Sequence, residues 1–288
     1  MASVTTKDAA QGLAGKFQLT FRMRRKVSLI VTAIALAVVY CIAQIQAGRL
    51  AHASFFTGFT VLASILLLVL LGVRRRLPIL PLGTVATWTQ IHLYMGLFAF
   101  GVYAMHVPML VAGGIFESGL SIVFLLVTCS GFYGIYASRT LPKRLTAVDG
   151  QHRFDHVGWH RAQIAKSARQ LLDNVHEHSG MRVLGSFYTH YLNPFFESRP
   201  SLAYVMMPTG LRRRRLLGGL KELDRYLEDE SRGTAGRLAA LVRRRDDLDY
   251  QYALQLRLRL WVVVHSVFSI ALVAAALVHA VIAWRHAG

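Results

Sequence analysis

The residues best suited to chemistry are four histidines set at one repeated spacing. His92 and His106 lie 14 residues apart in the stretch Trp88 to His106, WTQIHLYMGLFAFGVYAMH, and His265 and His279 lie 14 apart in Trp261 to His279, WVVVHSVFSIALVAAALVH. Fourteen helical residues turn through about 1400°, within about 40° of whole turns, and rise about 21 Å. Each stretch, as a helix, shows two imidazoles on one face at two depths. Laid side by side and parallel, the two helices set His92 opposite His265 and His106 opposite His279. A lone histidine in an apolar helix is often only a hydrogen-bonded interior residue, but two equal pairs are harder to explain as filler. Ionisable side chains in membrane-like surroundings are costly and mark function by default. Neutral imidazole binds iron, and helical bundles build cofactor sites from facing helices. Two imidazoles per site match the two axial positions of a haem. A tetrahedral zinc or copper site would be short of ligands, since neither stretch contains Cys, Asp or Glu.

Other residues could complete such sites. Gly96 and Gly101, between the two histidines of the first stretch, would let a porphyrin or a neighbouring helix approach closely. Tyr94, Phe98, Phe100 and Tyr103 add aromatic bulk, read as packing. Haem propionates need cations at the membrane faces. Arg257 and Arg259 precede His265, with Arg74 to Arg76 as further candidates, and Arg285, His286 and Arg49 serve the opposite side. Arg259 and Arg285 are the chosen partners, Arg285 because an external arginine runs against the usual charge distribution.

These positions require membrane helices. The 288-residue chain is 54% hydrophobic with a net charge of +18, and its mean hydropathy is +0.39. That is too apolar for an ordinary soluble domain, and the polar remainder is strongly basic. A bilayer core of about 30 Å needs roughly 20 apolar helical residues. Five runs qualify: Val27 to Ala47, Phe55 to Val73, Ala86 to Val111, Leu120 to Ser138 and Leu260 to Trp284. The expected class is therefore an all-α integral membrane protein, with five transmembrane helices, a haem-binding helical bundle and a helical cytoplasmic insert. The polar first 26 residues and the long first run argue against a cleaved signal peptide.

Lys and Arg set the orientation. Lys7, Lys16, Arg22, Arg24, Arg25 and Lys26 precede the first run and Arg74 to Arg76 follow the second, whereas the opposite connections carry only Arg49 and Arg285. This puts the N-terminus in the cytoplasm and the C-terminus outside. The third and fifth spans then run parallel, as the paired histidines require. The implied divisions are a basic arm at 1–26, four spans in 27–138, an insert at 139–256 and a last span with a short tail at 257–288.

Between spans two and three, Pro78 and Pro81 stop any continuous helix, Thr84 or Thr87 could cap the next, and Pro108 kinks or ends it. Cys41 and Cys129 are expected as buried filler thiols, not a disulfide, and the absence of CxxCH excludes covalently attached c-type haem. The insert has no phosphate-binding glycine loop. It reads as helices over Phe154 to His178, Leu216 to Glu230 and from Ala235 onward, separated by Asn193-Pro194, Arg199-Pro200 and Pro208. His152, His156 and His160 recur every four residues, read as a solvated face before a metal or proton site. Arg212 to Arg215 and Arg243 to Arg245 are read as contacts for lipid headgroups or an acidic partner rather than nucleic acid.

The runs SGFYGIYASRTLPKRLT (Ser130 to Thr146), LRLWVVVHSVFSIALVAAALVH (from Leu258 to His279) and QIHLYMGLFAFGVYAMH (Gln90 to His106) resemble bacterial dihaem cytochrome b proteins. They are similar to the ferric-reductase-like transmembrane domain family, and the cytochrome b of quinol-oxidising bc complexes has comparable paired-histidine spacing. The resemblance covers about half the chain. It implies two b haems between the third and fifth spans, with His92, His106, His265 and His279 as axial ligands. Flavin-dependent members have six spans and a C-terminal flavin and nicotinamide domain; here five runs are seen and the sequence given ends at Gly288.

The function expected is transmembrane electron transfer by a respiratory oxidoreductase subunit. Quinone and an iron–sulfur, flavin or cytochrome c subunit would be its partners, alongside membrane lipid. The alternative is a proton or metal-ion transporter using the histidines as a relay, which would call for an intramembrane carboxylate. A non-redox anchor recruiting proteins through the basic insert would leave the equal spacings unexplained.

Overall fold

The computed structural model describes residues 2–49, 53–76, 84–146, 154–173 and 179–286. Among them there is no strand; the chain is helical. In order come α1 (Ala2–Gly48), α2 (Ala53–Arg76), α3 (Val85–His106), α4 (Ile115–Thr146), α5 (Val157–Asp173), α6 (Ser179–Phe187), α7 (Asn193–Glu197), α8 (Leu202–Met206), α9 (Leu211–Leu223) and α10 (Asp229–His286). A turn of 3₁₀-helix precedes α5, another follows α9, and a π-helical turn, Tyr188–Leu192, joins α6 to α7. The chain forms two compact units, one of Met1–Phe132 with His265–Gly288 and one of Tyr133–Val264, and α4 and α10 contribute to both.

Among the described residues four helices are long and apolar enough to cross a membrane: α1 over Met23–Gly48, α2 over Ala53–Leu70, α4 and α10. Their apolar surface faces outward, with Ile34 58% exposed on α1 and Ile270 69% exposed on α10. A water-soluble protein would bury such surface, so lipid is the solvent these helices fit. The third expected span, α3, is not among the four. Its 22 residues include Gln90, His92, His106, two threonines and several Trp, Tyr and Gly, and these lower its apolarity.

In the first unit α1 and α3 run the same way. Gln90 Nε2 donates to Ser28 Oγ at 3.0 Å near one end, and a Cβ on Gly101 would lie 2.6 Å from Leu36 Cδ2 further along. Helix α2 runs against both, since Leu68 meets His92 and Thr57 meets His106. Helix α4 likewise runs against the last part of α10, Ser130 meeting His265 and Phe116 meeting His279. Val61, Ile65, Val102, Phe124 and Leu272 form the centre, with Tyr103 stacked on Phe124 at 4.0 Å.

Local chemistry explains the boundaries. Thr84 caps α3, its hydroxyl accepting from the Thr87 amide at 3.2 Å. The helix stops at His106, five residues before the expected end at Val111, because Pro108 cannot continue it. The Tyr103 hydroxyl then donates to the Leu110 carbonyl at 2.6 Å, tying down a residue with φ of 61°. Pro78 and Pro81 lie outside the described residues. The expected basic arm is helical from Ala2 and continuous with the first apolar run. Cys41 and Cys129 are both free and exposed, which corrects the expectation of buried thiols: where the surroundings are lipid, an apolar side chain need not turn inward.

The second unit, Tyr133–Val264, contains the stretch 139–256 expected as a helical insert and is built around Leu184, Leu192, Leu216, Leu238 and Val242. Its helices differ in detail. Helix α5 ends at Asp173, the residues up to His178 lie outside those described, and the last helix starts at Asp229 and runs 58 residues without a break. At its centre is a charge network. Arg245 is fully buried and pairs with Asp249, one turn away on α10. Its Nη2 and that of Arg161 both donate to the Ser198 carbonyl, at 2.8 and 2.6 Å. Arg161 approaches Asp249 at 3.4 Å. The Tyr204 hydroxyl donates to Asp246 at 3.4 Å; burial first, then the neighbouring Asp246 charge, pushes its pKa far up and keeps it protonated.

Candidate functional site: two facing histidine pairs

All four histidines belong to the first unit, on the inward stripes of α3 and α10. On α10, His265 and His279 share a stripe with the buried Leu272 and Ala276, while Val264, Val267 and Val278 beside them are exposed. On α3, His92 and His106 bracket the buried Ala99 and Val102. Seven-residue steps keep one face of a helix turned to its neighbour, so the 14-residue spacing leaves both histidines on the packed side.

His92 faces His265. Their ring centroids are 6.4 Å apart and their planes 71° from parallel. His106 and His279 lie near each other and form the second pair. The two helices therefore run parallel in this unit, one pair standing about two heptads, or about 21 Å of helix, beyond the other.

Three of the imidazoles are oriented through Nδ1. That of His92 lies 3.1 Å from the Leu68 carbonyl, which can only accept, so the proton sits on Nδ1 and Nε2 carries the lone pair. That of His265 lies 2.6 Å from Ser130 Oγ, and Ser130 already donates to the Val127 carbonyl at 2.8 Å. With its single proton used there, the serine oxygen accepts from Nδ1. That of His106 lies 3.1 Å from Thr57 Oγ1, whose own proton goes to the Ala53 and Ser54 carbonyls at 3.2 and 3.1 Å. His279 differs: its Nδ1 is buried without a hydrogen-bond partner, and its ring stacks against Phe116 at 6.4 Å.

This arrangement fits two axial ligands of one metal. Two metal–imidazole bonds of about 2 Å each, plus about 1 Å from each nitrogen to its ring centre, span roughly 6 Å. The His92–His265 separation of 6.4 Å matches that span. Nδ1 donation to a carbonyl or hydroxyl is the usual support of a metal-binding Nε2. Among the described residues no group of three or more His, Cys, Asp or Glu is placed to hold a metal, so a four-ligand zinc centre does not fit.

The remaining expected site residues divide. A Cβ on Gly96 would meet no atom within 4 Å, whereas Gly101 is closed off by Leu36; of the two, Gly101 serves helix packing. Arg285 is exposed in the last turn of α10. Arg259 belongs to the second unit, where its guanidinium lies 4.0 Å from the Phe154 ring centre and 4.0 Å from the Asp155 carboxylate. Arg257 there donates to the Tyr133 hydroxyl at 3.2 Å. Arg212 lies over the Phe195 ring, and Arg213 bonds Asp247 at 2.9 Å, so half of that basic run is held internally. His156 lies in the 3₁₀ turn and His160 in α5, while His152 is outside the described residues.

Sequence reasoning passed over the residues that hold the rings. Besides Thr57 and Ser130, Gly58 and Gly131 border the histidines: a Cβ on Gly58 would lie 3.0 Å from His106 Cε1, and one on Gly131 3.9 Å from His265 Cε1. The signal available was a small residue beside a hydroxyl, Thr57-Gly58 and Ser130-Gly131, on each helix adjoining a histidine helix.

No family model, no curated protein and no solved structure matches the chain. The resemblance to dihaem cytochromes b rests on the quoted residues alone.

Proposed function

We propose that this chain is a transmembrane electron-transfer subunit that holds two b-type haems, one between His92 and His265 and the other between His106 and His279. The observation that carries the reading is the 6.4 Å approach of the His92 and His265 rings, their planes 71° apart, with both Nδ1 atoms tied to acceptors. Haem iron supplies reversible one-electron chemistry. The chain's part is to fix ligand distance, hold each lone pair inward, exclude water and tune the electron affinity of each site. Gly96 provides room for a flat group beside His92, and Arg285 a cation beyond His279.

In this reading α3 is a fifth span, lodged against the other helices because it carries the site's polar residues. The N-terminus is cytoplasmic, following the Lys and Arg distribution, and the resemblance to bacterial cytochromes b makes a bacterial inner membrane the chain's location. Quinone, and an iron–sulfur, flavin or cytochrome c subunit, are the electron partners. A respiratory oxidoreductase is the assembly this implies.

The test is an optical spectrum of the detergent-purified chain, oxidised and then dithionite-reduced, with a pyridine haemochrome assay. Two b haems per chain with sharp low-spin bands are expected. A colourless protein from haem-replete cells would defeat the reading and favour a histidine-relay transporter.

A further inference from the structure

We infer that the two sites differ in electron affinity, and that the His106–His279 site takes an electron more readily than the His92–His265 site. The inference rests on the two-haem reading and adds an order to it. Donation from Nδ1 raises the basicity of the ligating imidazole, which stabilises the ferric state and lowers the potential. At the first site both ligands have this support: His92 from the Leu68 carbonyl at 3.1 Å, and His265 from Ser130 Oγ at the short distance of 2.6 Å. At the second site only His106 has it, from Thr57 at 3.1 Å and the Ser54 backbone, while the buried Nδ1 of His279 has no acceptor.

The apolar surroundings act in the same direction. Phe116 stacks against His279, and low polarity favours the less charged, reduced state. Opposing this, Arg24, Arg25 and Lys26 stand midway along α1, where its apolar part begins, near Tyr94, whose hydroxyl reaches the Arg25 carbonyl at 3.4 Å. Cations there would raise the potential of the first site. All three are exposed, and exposed charges are screened over about 8–10 Å at ordinary ionic strength. Arg285 raises the second site in the same screened way. Direct hydrogen bonds to the ligands are not screened, so they set the order.

In the half-reduced protein, therefore, the single electron rests at the His106–His279 site. One electron passing from the His92–His265 site to the His106–His279 site would leave the first oxidised and the second reduced, with no further reactant. Ser130 and Thr57 are positioning residues with separable effects. The experiment is a potentiometric titration of the full chain in detergent, followed in the reduced visible bands, for the wild type, Ser130→Ala and Thr57→Ala. Two resolved midpoints are expected. Ser130→Ala should raise the lower one and leave the higher unmoved; Thr57→Ala should raise the higher one and leave the lower unmoved. Coincident midpoints, the reverse assignment, or no shift in either variant would overturn the order while leaving two haems in place. A wild-type protein without haem bands would overturn the two-haem reading and the order with it. Paramagnetic resonance of the ferric protein supplies a second readout: loss of the Ser130 bond should move one low-spin signal and not the other.

Discussion

The His92 and His265 rings, contributed by two helices remote in sequence, lie with their centroids 6.4 Å apart, and each is anchored through Nδ1, His92 to the Leu68 carbonyl and His265 to Ser130. A pair held in this way should behave as one unit. His92→Ala and His265→Ala are expected to give the same residual spectrum, with about half the haem retained, because neither imidazole alone supplies both axial bonds. His106→Ala and His279→Ala should give the complementary spectrum. Haem per chain and reduced difference spectra check this. Four distinct spectra, or His92→Ala matching His106→Ala, would mean that the pairs are wrong.

The second pair can be disturbed without touching a histidine. A Cβ at position 58 would lie 3.0 Å from His106 Cε1 and 3.4 Å from Nε2. Contact that close forces the ring to shift, and a bulkier side chain leaves it nowhere to go. Gly58→Val is expected to lose the haem assigned to His106 and His279 while sparing the other. Retention of both haems in that variant would show that the His106 ring is not a ligand.

Gly96 tests the cofactor in the opposite sense. An added methyl there meets no protein atom within 4 Å, so Gly96→Ala should leave the helix packing and thermal stability of haem-free protein unchanged. If a porphyrin lies beside His92, the same methyl collides with it, and haem content at the His92–His265 site falls. Equal haem loading in Gly96→Ala and wild type would remove Gly96 from the site.

How much of this could be read from the sequence depends on the range of the interactions involved. The fourteen-residue spacing is local and periodic, so it fixes which face of α3 and of α10 each histidine occupies. The Thr84 cap and the stop before Pro108 are equally local, and both were legible. Thr57 and Ser130 were not. A threonine or serine inside an apolar helix ordinarily bonds the carbonyl one turn back, as Thr60 and Thr128 do at 2.7 and 2.9 Å. Only tertiary placement distinguishes a hydroxyl that also receives a histidine. Arg259 shows the same dependence on tertiary placement: its sequence position before His265 fits a propionate, and nothing local signals its contacts with Phe154 and Asp155. The charge at position 245 reads as part of an Arg243 to Arg245 run that meets lipid headgroups or an acidic partner, yet Arg243 and Arg244 are exposed while Arg245 is fully buried. One step along a helix turns a side chain by about 100° and can reverse its environment.

That buried arginine supports a prediction about the second unit. Arg245 is fully buried, Asp249 nearly so, and both are joined through the Ser198 carbonyl and Arg161. Removing one member leaves the other charged, desolvated and poorly paired. Arg245→Ala or Asp249→Ala should each destabilise by about 3–5 kcal/mol. The pair is not necessarily the best use of the space, since its Coulomb attraction is set against the cost of taking two ions from water. Arg245→Met combined with Asp249→Leu should therefore recover most of the loss, with a coupling of opposite sign to the single effects. Arg161 would retain its 2.6 Å bond to Ser198, which gives the double variant a remaining anchor between α5 and the Ser198 turn. Thermal unfolding of the full chain in detergent, followed by loss of helix signal, measures all three variants. Single and double variants that lose stability additively would show that Arg245 and Asp249 act independently, each through other neighbours.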